Sequence, residues 1–405
     1  MQKNVGVLGR HVRLEEFVLE VLKLKWANQG EAVATAYIEF LVYLISANVK
    51  FVKPAVRILV ENLKGTNDEI SDSCMLDNTH EAFKGMLSVS PVASREEILR
   101  LIVQRFPFYK MPTYTQGCYV SSVLEMSRYI PDSRDQIMRL VMERLIKLDA
   151  HLSRDYIEEA YRVHSSGGRL DVTVGSLDMY MGLMFTFIKE STHDTIDTGE
   201  QVFNREKAES LVASLFDIHV SHLLPTFNIL HTQFLYMYLA SLAPDLSTKF
   251  IATNWRVFTD VNQPSIIRQT AMAYIASYLA RAKSVSAGLT ISYLDKLSSW
   301  TVDYVNSRDN SVNGDFIHAD ISRHGPFYSA CQAIFYVFAF RHSDLTNTSE
   351  RIKKLKSMSW QSIISHNLNP LRVCLPGIVK NFANISKNYQ LAYCTAIMQR
   401  NNRLD

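Results

Sequence analysis

Residues 131–150, PDSRDQIMRLVMERLIKLDA, decide the fold. Within them Ile137, Leu140, Val141, Leu145 and Leu148 fall at i, i+3, i+4, i+8 and i+11, which places all five on one stripe of an α-helix. Pro131 stands just outside the stripe. Ser133 is a candidate N-cap, and Gln136 three positions later completes the pattern of a capping box. Ser94 with Glu97 repeats the device ahead of the apolar run Ile98, Leu99, Leu101, Ile102.

Outward from this helix the same periodicity continues in both directions. Helical blocks are expected at about 13–26, 30–47, 51–64, 115–129, 176–189, 203–216, 226–243, 264–282, 288–305, 326–341, 371–383 and 386–399. They come in pairs, with a new pair roughly every 40–47 residues, the period of HEAT or armadillo repeats, whose helix hairpins stack into a superhelix. A non-repetitive bundle of this size would be unusually large for one core. No stretch alternates apolar and polar residues between hairpin turns, so no sheet is expected. The fold class is all-α, one continuous HEAT/armadillo-like array over 1–405, with polar loops near 65–80, 163–175 and 307–315.

Composition agrees. The chain has 405 residues, 47% of them hydrophobic, but only 15 Gly and 11 Pro, about half the usual share of the two, ~12%. Few punctuators suit long helices with short connections. With 43 Lys and Arg against 40 Asp and Glu, and a pI near 8.4, bulk electrostatic binding to nucleic acid is not expected. The five cysteines (Cys74, Cys118, Cys331, Cys374, Cys394) show no paired spacing for zinc or a disulfide framework, and Cys331 and Cys374 sit in apolar stretches as small hydrophobes. A reducing compartment follows. The longest uncharged run, 218–244, contains His219, His222, Pro225, Asn228, His231 and Gln233, each costly in hydrocarbon, so it reads as two buried helices broken at Pro225 and not as a membrane span.

Enzymatic chemistry finds no support. There is no phosphate-cradling G-x-x-x-x-G-K or G-x-G-x-x-G, no H-E-x-x-H around His219, His222 and His231, and no G-x-S-x-G elbow. No cofactor and no metal are expected, and Glu158 with Glu159 reads as a solvated helix face. The densest basic cluster is Arg351, Lys353, Lys354 and Lys356. It could touch phosphates, although a solvated helix surface accounts for it more simply.

Five segments carry a further signal. They are HGPFYSACQAIFYVFAFRH at 324–342, NPLRVCLPGIVKNFANISKNYQLAYCTAIMQRNNR at 369–403, PSIIRQTAMAYIASYLARAK at 264–283, RFPF at 105–108 followed by Cys118, Tyr119 and Val120, and LKLKWANQGEAVATAYIEFLVYLISA at 22–47. Together they resemble the RNA polymerase I-specific transcription initiation factors, called TIF-IA in mammals. As physical objects the same strings read as core: Phe327, Tyr328, Ile334, Phe335, Phe338 and Phe340 would pack one helix on its neighbours, and Gly325-Pro326 would open it.

The resemblance implies a non-enzymatic HEAT-repeat factor. It would bind RNA polymerase I near its stalk and dock region, link it to a core-promoter initiation factor at ribosomal DNA, and work in the nucleus, in the nucleolus. It further implies regulation by phosphorylation, with a serine-bearing surface in the N-terminal half, so Ser94, Ser121, Ser122, Ser127 and Ser133 are the polymerase-binding candidates. A triple Asp substitution at 121, 122 and 127 is expected to fold and to weaken polymerase binding. A weak DNA contact at the basic cluster, a homodimer of the free protein and no membrane partner complete the expectations. Where familiar members carry a strongly acidic insert, this chain has 149–175, short and not strongly acidic. The alternatives are a direct DNA-binding promoter factor and a generic helical-repeat scaffold.

Overall fold

The structure is a computed structural model that describes residues 12–66, 68–196, 199–309 and 320–403. Among the described residues it is all-α apart from one small hairpin. The chain divides into two compact units, Met1–Ile218 with Thr226–Leu235, and His219–Pro225 with Tyr236–Asp405.

The first unit holds α1 (Val12–Leu22), α2 (Glu31–Ala47), α3 (Val52–Asn62), α4 (Glu69–Val89), α5 (Pro91–Gln104), α6 (Thr113–Tyr129), α7 (Arg134–His151), α8 (Arg154–Ser165), α9 (Val172–Thr192) and α10 (Arg205–Ile218). The helices pack on partners one to three places along the chain: α2 on α4, α3 on α5, α4 on α6, α6 on α7 and α9, α7 on α10. That pattern is the mark of stacked helix hairpins. The stripe on α7 behaves as its spacing requires, with Ile137, Val141 and Leu145 fully buried and Leu140 and Leu148 nearly so. Each such side chain contributes roughly 1.5–3 kcal/mol of burial.

The second unit holds most of α11 (Gln233–Ser241), then α12 (Pro244–Thr259), α13 (Ser265–Arg281), α14 (Ala287–Asp309), α15 (Ile321–Leu345), α16 (Ser349–Lys356), α17 (Trp360–Ser365), α18 (Pro370–Val373), α19 (Pro376–Asn388) and α20 (Thr395–Asn401). Its centre is α15, which packs on α13, α14, α18 and α19. Here Phe335 stacks on Phe382 at 4.4 Å, and Trp360 sits 5.3 Å from Phe338. Phe327, Tyr328, Ile334, Phe335 and Phe338 are buried as expected, whereas Phe340 is 56% exposed. Position 340 follows Phe338 by two residues, about 200° around a helix, and so faces solvent. The Gly325-Pro326 expectation also needs adjusting: α15 starts at Ile321 and bends at His324 (φ −111°, ψ 17°), so Pro326 opens the segment beyond the bend.

Several expectations fail for identifiable reasons. The loop expected at 65–80 is mostly α4, whose buried face runs through Asp72, Met75, Thr79, Ala82, Phe83 and Met86. Its helical period is carried partly by polar residues, which an apolar count overlooks. The buried Asp72 carboxylate accepts hydrogen bonds from the Thr66 amide (2.7 Å), the Thr66 hydroxyl (2.7 Å) and the Tyr114 hydroxyl (3.0 Å), which satisfies it inside the stack. Helices α8, α12, α16 and α17 were likewise not among the expected blocks. The loop at 163–175 shrinks to the six residues between Ser165 and Val172 because Asp171 caps α9, accepting from the amides of Thr173 (2.8 Å) and Val174 (3.3 Å). Of the loop expected at 307–315, residues 310–315 lie outside the described residues.

The expected absence of a sheet is also corrected. β1 (His193–Thr195) pairs antiparallel with β2 (Gln201–Phe203), His193 opposite Phe203, with Gly199 at φ +79° in the connection. Three exposed or half-exposed residues per strand bury no face, so no alternation announces them.

Candidate interaction surfaces

Four of the five candidate serines are not on a surface. Ser94 is fully buried inside α5, because that helix opens earlier, at Pro91 with Ser90 in the N-cap position; the Ser94 hydroxyl donates to the Met86 carbonyl at 3.3 Å. Ser127 is fully buried and donates to the Leu124 carbonyl at 2.6 Å, and Ser122 is 3% exposed. Ser133 does stand at the N-cap position of α7, but it is buried and its side chain makes no capping hydrogen bond, so the expected box with Gln136 does not form. For Ser122 and Ser127 the cause is the position of α6, which packs on α4, α7 and α9 and so buries most of its circumference. Small hydroxyl residues let these helices approach closely; their polarity is a poor guide to exposure there.

Ser121 is the exception. It is exposed, and Glu125 and Arg128 follow it at i+4 and i+7 on the same helical face. Arg128 is engaged already, with Glu125 at 3.3 Å and with Glu190 of α9 at 2.5 Å. A phosphate on Ser121 would add roughly −1.5 to −2 charges beside this network. It would repel Glu125 and compete for Arg128 without entering the core.

The basic cluster forms α16. The Thr348 hydroxyl accepts from the Arg351 amide at 3.3 Å, Glu350 lies in the first turn, and Lys353, Lys354 and Lys356 lie in the last. This charge order complements the helix dipole and gives the cluster a structural reason to exist. Arg351 is a tie to α15: its guanidinium donates to the Asp344 carbonyl (2.9 Å) and to Asn347 Oδ1 (2.7 Å). Lys354 stands 3.7 Å from Glu350. Lys353, Lys354 and Lys356 are exposed. Three lysines at most are left for phosphates.

The histidines that invited a metal reading are used separately. His219 is fully buried, its Nε2 3.0 Å from Asn254 Oδ1, among the rings of Tyr236, Phe250 and Tyr274. Burial pushes its pKa down to about 4. His231 lies 3.1 Å from the buried Asp149 carboxylate, and His222 bonds Ser221. No group of three metal-ligating side chains occurs among the described residues. No described helix is long and apolar enough to cross a membrane.

One surface went unremarked in the sequence: the connection between α5 and α6 presents Phe108, Tyr109 and Met111 to solvent. RFPF had marked the place, but only as part of a resemblance.

Comparison with known families matches residues 1–168 and 153–405 to the family described as RNA polymerase I specific transcription initiation factor RRN3. The chain is 31% identical to RNA polymerase I-specific transcription initiation factor RRN3 of Mus musculus, over 96% of this chain and 65% of the mouse protein. It is 24% identical to the corresponding rrn3 protein of Schizosaccharomyces pombe, over 95% of this chain and 70% of that one. Among solved structures, the crystal structure of RNA polymerase I transcription initiation factor Rrn3 superposes with a TM-score of 0.79 at 22% identity, covering 100% of this chain and 81% of that chain. At that identity the superposition establishes the helical-repeat fold.

Proposed function

The chain belongs to the RNA polymerase I specific transcription initiation factor RRN3 family, a family of transcription initiation factors and not of enzymes, and from that premise we propose that it binds RNA polymerase I and bridges it to core-promoter factors for ribosomal RNA gene transcription. The observation that carries the reading is the extent of the family match, which takes in residues 1–168 and 153–405. The helical stack supports it, since such stacks offer long exposed faces to large partners. The work assigned is recruitment, in the nucleus and specifically the nucleolus, with polymerase contact near the stalk and dock.

Within this reading the phosphoregulated candidate narrows to Ser121, since the other four would each have to carry a charge into the core. Treating both compact units as one continuous repeat array, and homodimerisation of the free protein, belong to the same proposal. Pulldown with purified polymerase I, with and without phosphatase treatment, tests it directly: retention that changes with phosphatase is the expected result.

A second reading, direct promoter-DNA binding, draws on the exposed Lys353, Lys354 and Lys356. Three phosphate contacts would give a log–log salt slope of about −2.7 and only weak duplex affinity. A steeper slope at sub-micromolar affinity would favour this reading over recruitment.

A further inference from the structure

A cavity of about 300 Å³ opens beneath the α5–α6 connection, within the first unit. Its floor is Leu148 of α7 and Tyr180 of α9, both buried, and its wall is Phe106, Phe108 and Tyr109. The connection is held in place from inside. The Gln116 amide donates to the carbonyls of Tyr109 (3.2 Å) and Met111 (2.7 Å) and to the Ser176 hydroxyl (2.9 Å), while its oxygen accepts from the Tyr180 hydroxyl at 3.1 Å. Phe106 is fixed edge-on to Tyr119 at 5.3 Å, with the Arg144 guanidinium 5.0 Å from its ring centre. The cavity is therefore preformed.

Its electrostatics are one-sided. Arg144 and Lys147 line it, Lys110 adjoins it over the Tyr109 ring at 5.7 Å, and no lining side chain is a carboxylate. None of these three cations makes an ion pair among the described residues. Meanwhile Phe108 is 60% exposed and Tyr109 45%, an unusual outlay of aromatic surface on one short connection.

We propose that this cavity docks a short acidic peptide segment of another protein, anchored by one bulky apolar or aromatic side chain. Two observations select that occupant. Unpaired cations around an aromatic mouth complement acidic residues flanking an apolar anchor, and the volume sits at the low end of ligand pockets, ~300–1,000 Å³, room for one large side chain. A nucleic-acid base fits less well. The polar groups deepest in the cavity, Gln116 and the Tyr180 hydroxyl, are already committed to each other and to the connection, so a base edge buried against them would lose hydrogen bonds to water without replacing them there. The site stands independently of polymerase binding, and its loss would leave family membership untouched.

The test uses the whole chain and labelled nonapeptides in which one Phe, Trp or Leu sits among six Asp and Glu residues. Fluorescence anisotropy is expected to give saturable binding by at least one of them, with a Kd of about 100 µM or tighter. Replacing the anchor by Ala, or the acids by Asn and Gln, should weaken it about tenfold or more. Lys147→Glu and Phe108→Ala, both at exposed positions, should do the same with an unchanged melting temperature, and Lys353→Glu should have no effect. A benzophenone at the anchor position should crosslink to the 106–109 segment, a readout that needs no variant to fold. The proposal is overturned if no peptide binds, if crosslinks map elsewhere, if Lys147→Glu and Phe108→Ala bind normally, or if a single-stranded oligonucleotide occupies the cavity while the peptides do not.

Discussion

The buried carboxylate of Asp149, in the last turn of α7, holds Thr232 twice, accepting its amide at 2.7 Å and its hydroxyl at 2.9 Å. The same group accepts from the His231 amide at 2.9 Å, so one side chain fixes the turn ahead of α11 from 83 positions away. Asn228 in that turn adopts φ 62°, a conformation the surrounding hydrogen bonds must sustain.

Removing Asp149 should therefore be costly. Asp149→Ala leaves several buried donors unpaired and is expected to destabilise the protein by about 3 kcal/mol or more, read as a lower denaturation midpoint. Thr232→Val, which removes only the hydroxyl, should cost about 1 kcal/mol. Equal midpoints for wild type and Asp149→Ala would show that the turn is held by other means.

The serines separate into two classes. Ser127→Asp places a charge where no solvent reaches and should cost several kcal/mol, enough to lower soluble yield and melting temperature sharply. Ser121→Asp, on the exposed face, should melt like the wild type. The triple Asp variant at 121, 122 and 127 is accordingly expected to fold poorly, and only the single Ser121→Asp variant can report on binding. A normal melt for Ser127→Asp would contradict the burial.

This is where sequence reading reached its limit. Apolar periodicity was enough for α7, α13 and the stacked-hairpin class, because there the buried faces are made almost wholly of Leu, Ile, Val, Met, Ala and Tyr. It failed for α4, whose buried face includes Asp72 and Thr79, and the surface that the family resemblance implied for Ser94, Ser122, Ser127 and Ser133 is buried instead. Asp72, Thr79, Ser94 and Ser127 are satisfied by partners on other segments or within their own helix, and a linear pattern does not contain that information. The cavity under Phe106, Phe108 and Tyr109 was hidden for a related reason, since α7 and α9 supply its floor from 39 and more residues away.

Acid should weaken the fold through two histidines. Burial holds His219 down to about 4, and burial, with a smaller contribution from Lys84, holds His80 down to about 4, against an ordinary value of 6.5. Between those values the unfolded chain takes up the proton and the folded chain does not. Stability is full above about pH 6.5 and falls as pH drops toward 4, by up to about 3 kcal/mol for His219. Melting temperatures measured from pH 7.5 to 5 should fall, and His219→Phe should flatten the slope. A slope unchanged by the substitution would remove His219 from the account.

Thiol reactivity should follow burial. Cys74 is exposed, while Cys331, Cys374 and Cys394 are buried, and burial raises their thiol pKa, to about 12 for Cys374 and about 11 for Cys394. A thiol reagent at pH 7.5 is expected to label Cys74 within minutes and these three only after denaturation. Rapid native labelling of Cys331 and Cys374 would contradict their placement in the core around α15.

The central claim, recruitment of polymerase I, is tested most directly by the affinity of the purified protein for purified RNA polymerase I at physiological salt, compared between wild type and Ser121→Asp. The account predicts saturable binding by the wild type and binding about tenfold weaker, a difference of ~1.4 kcal/mol, for a Ser121→Asp variant that melts normally. Absence of binding by the well-folded wild type would contradict the account outright, and equal affinities would remove Ser121 from the interface.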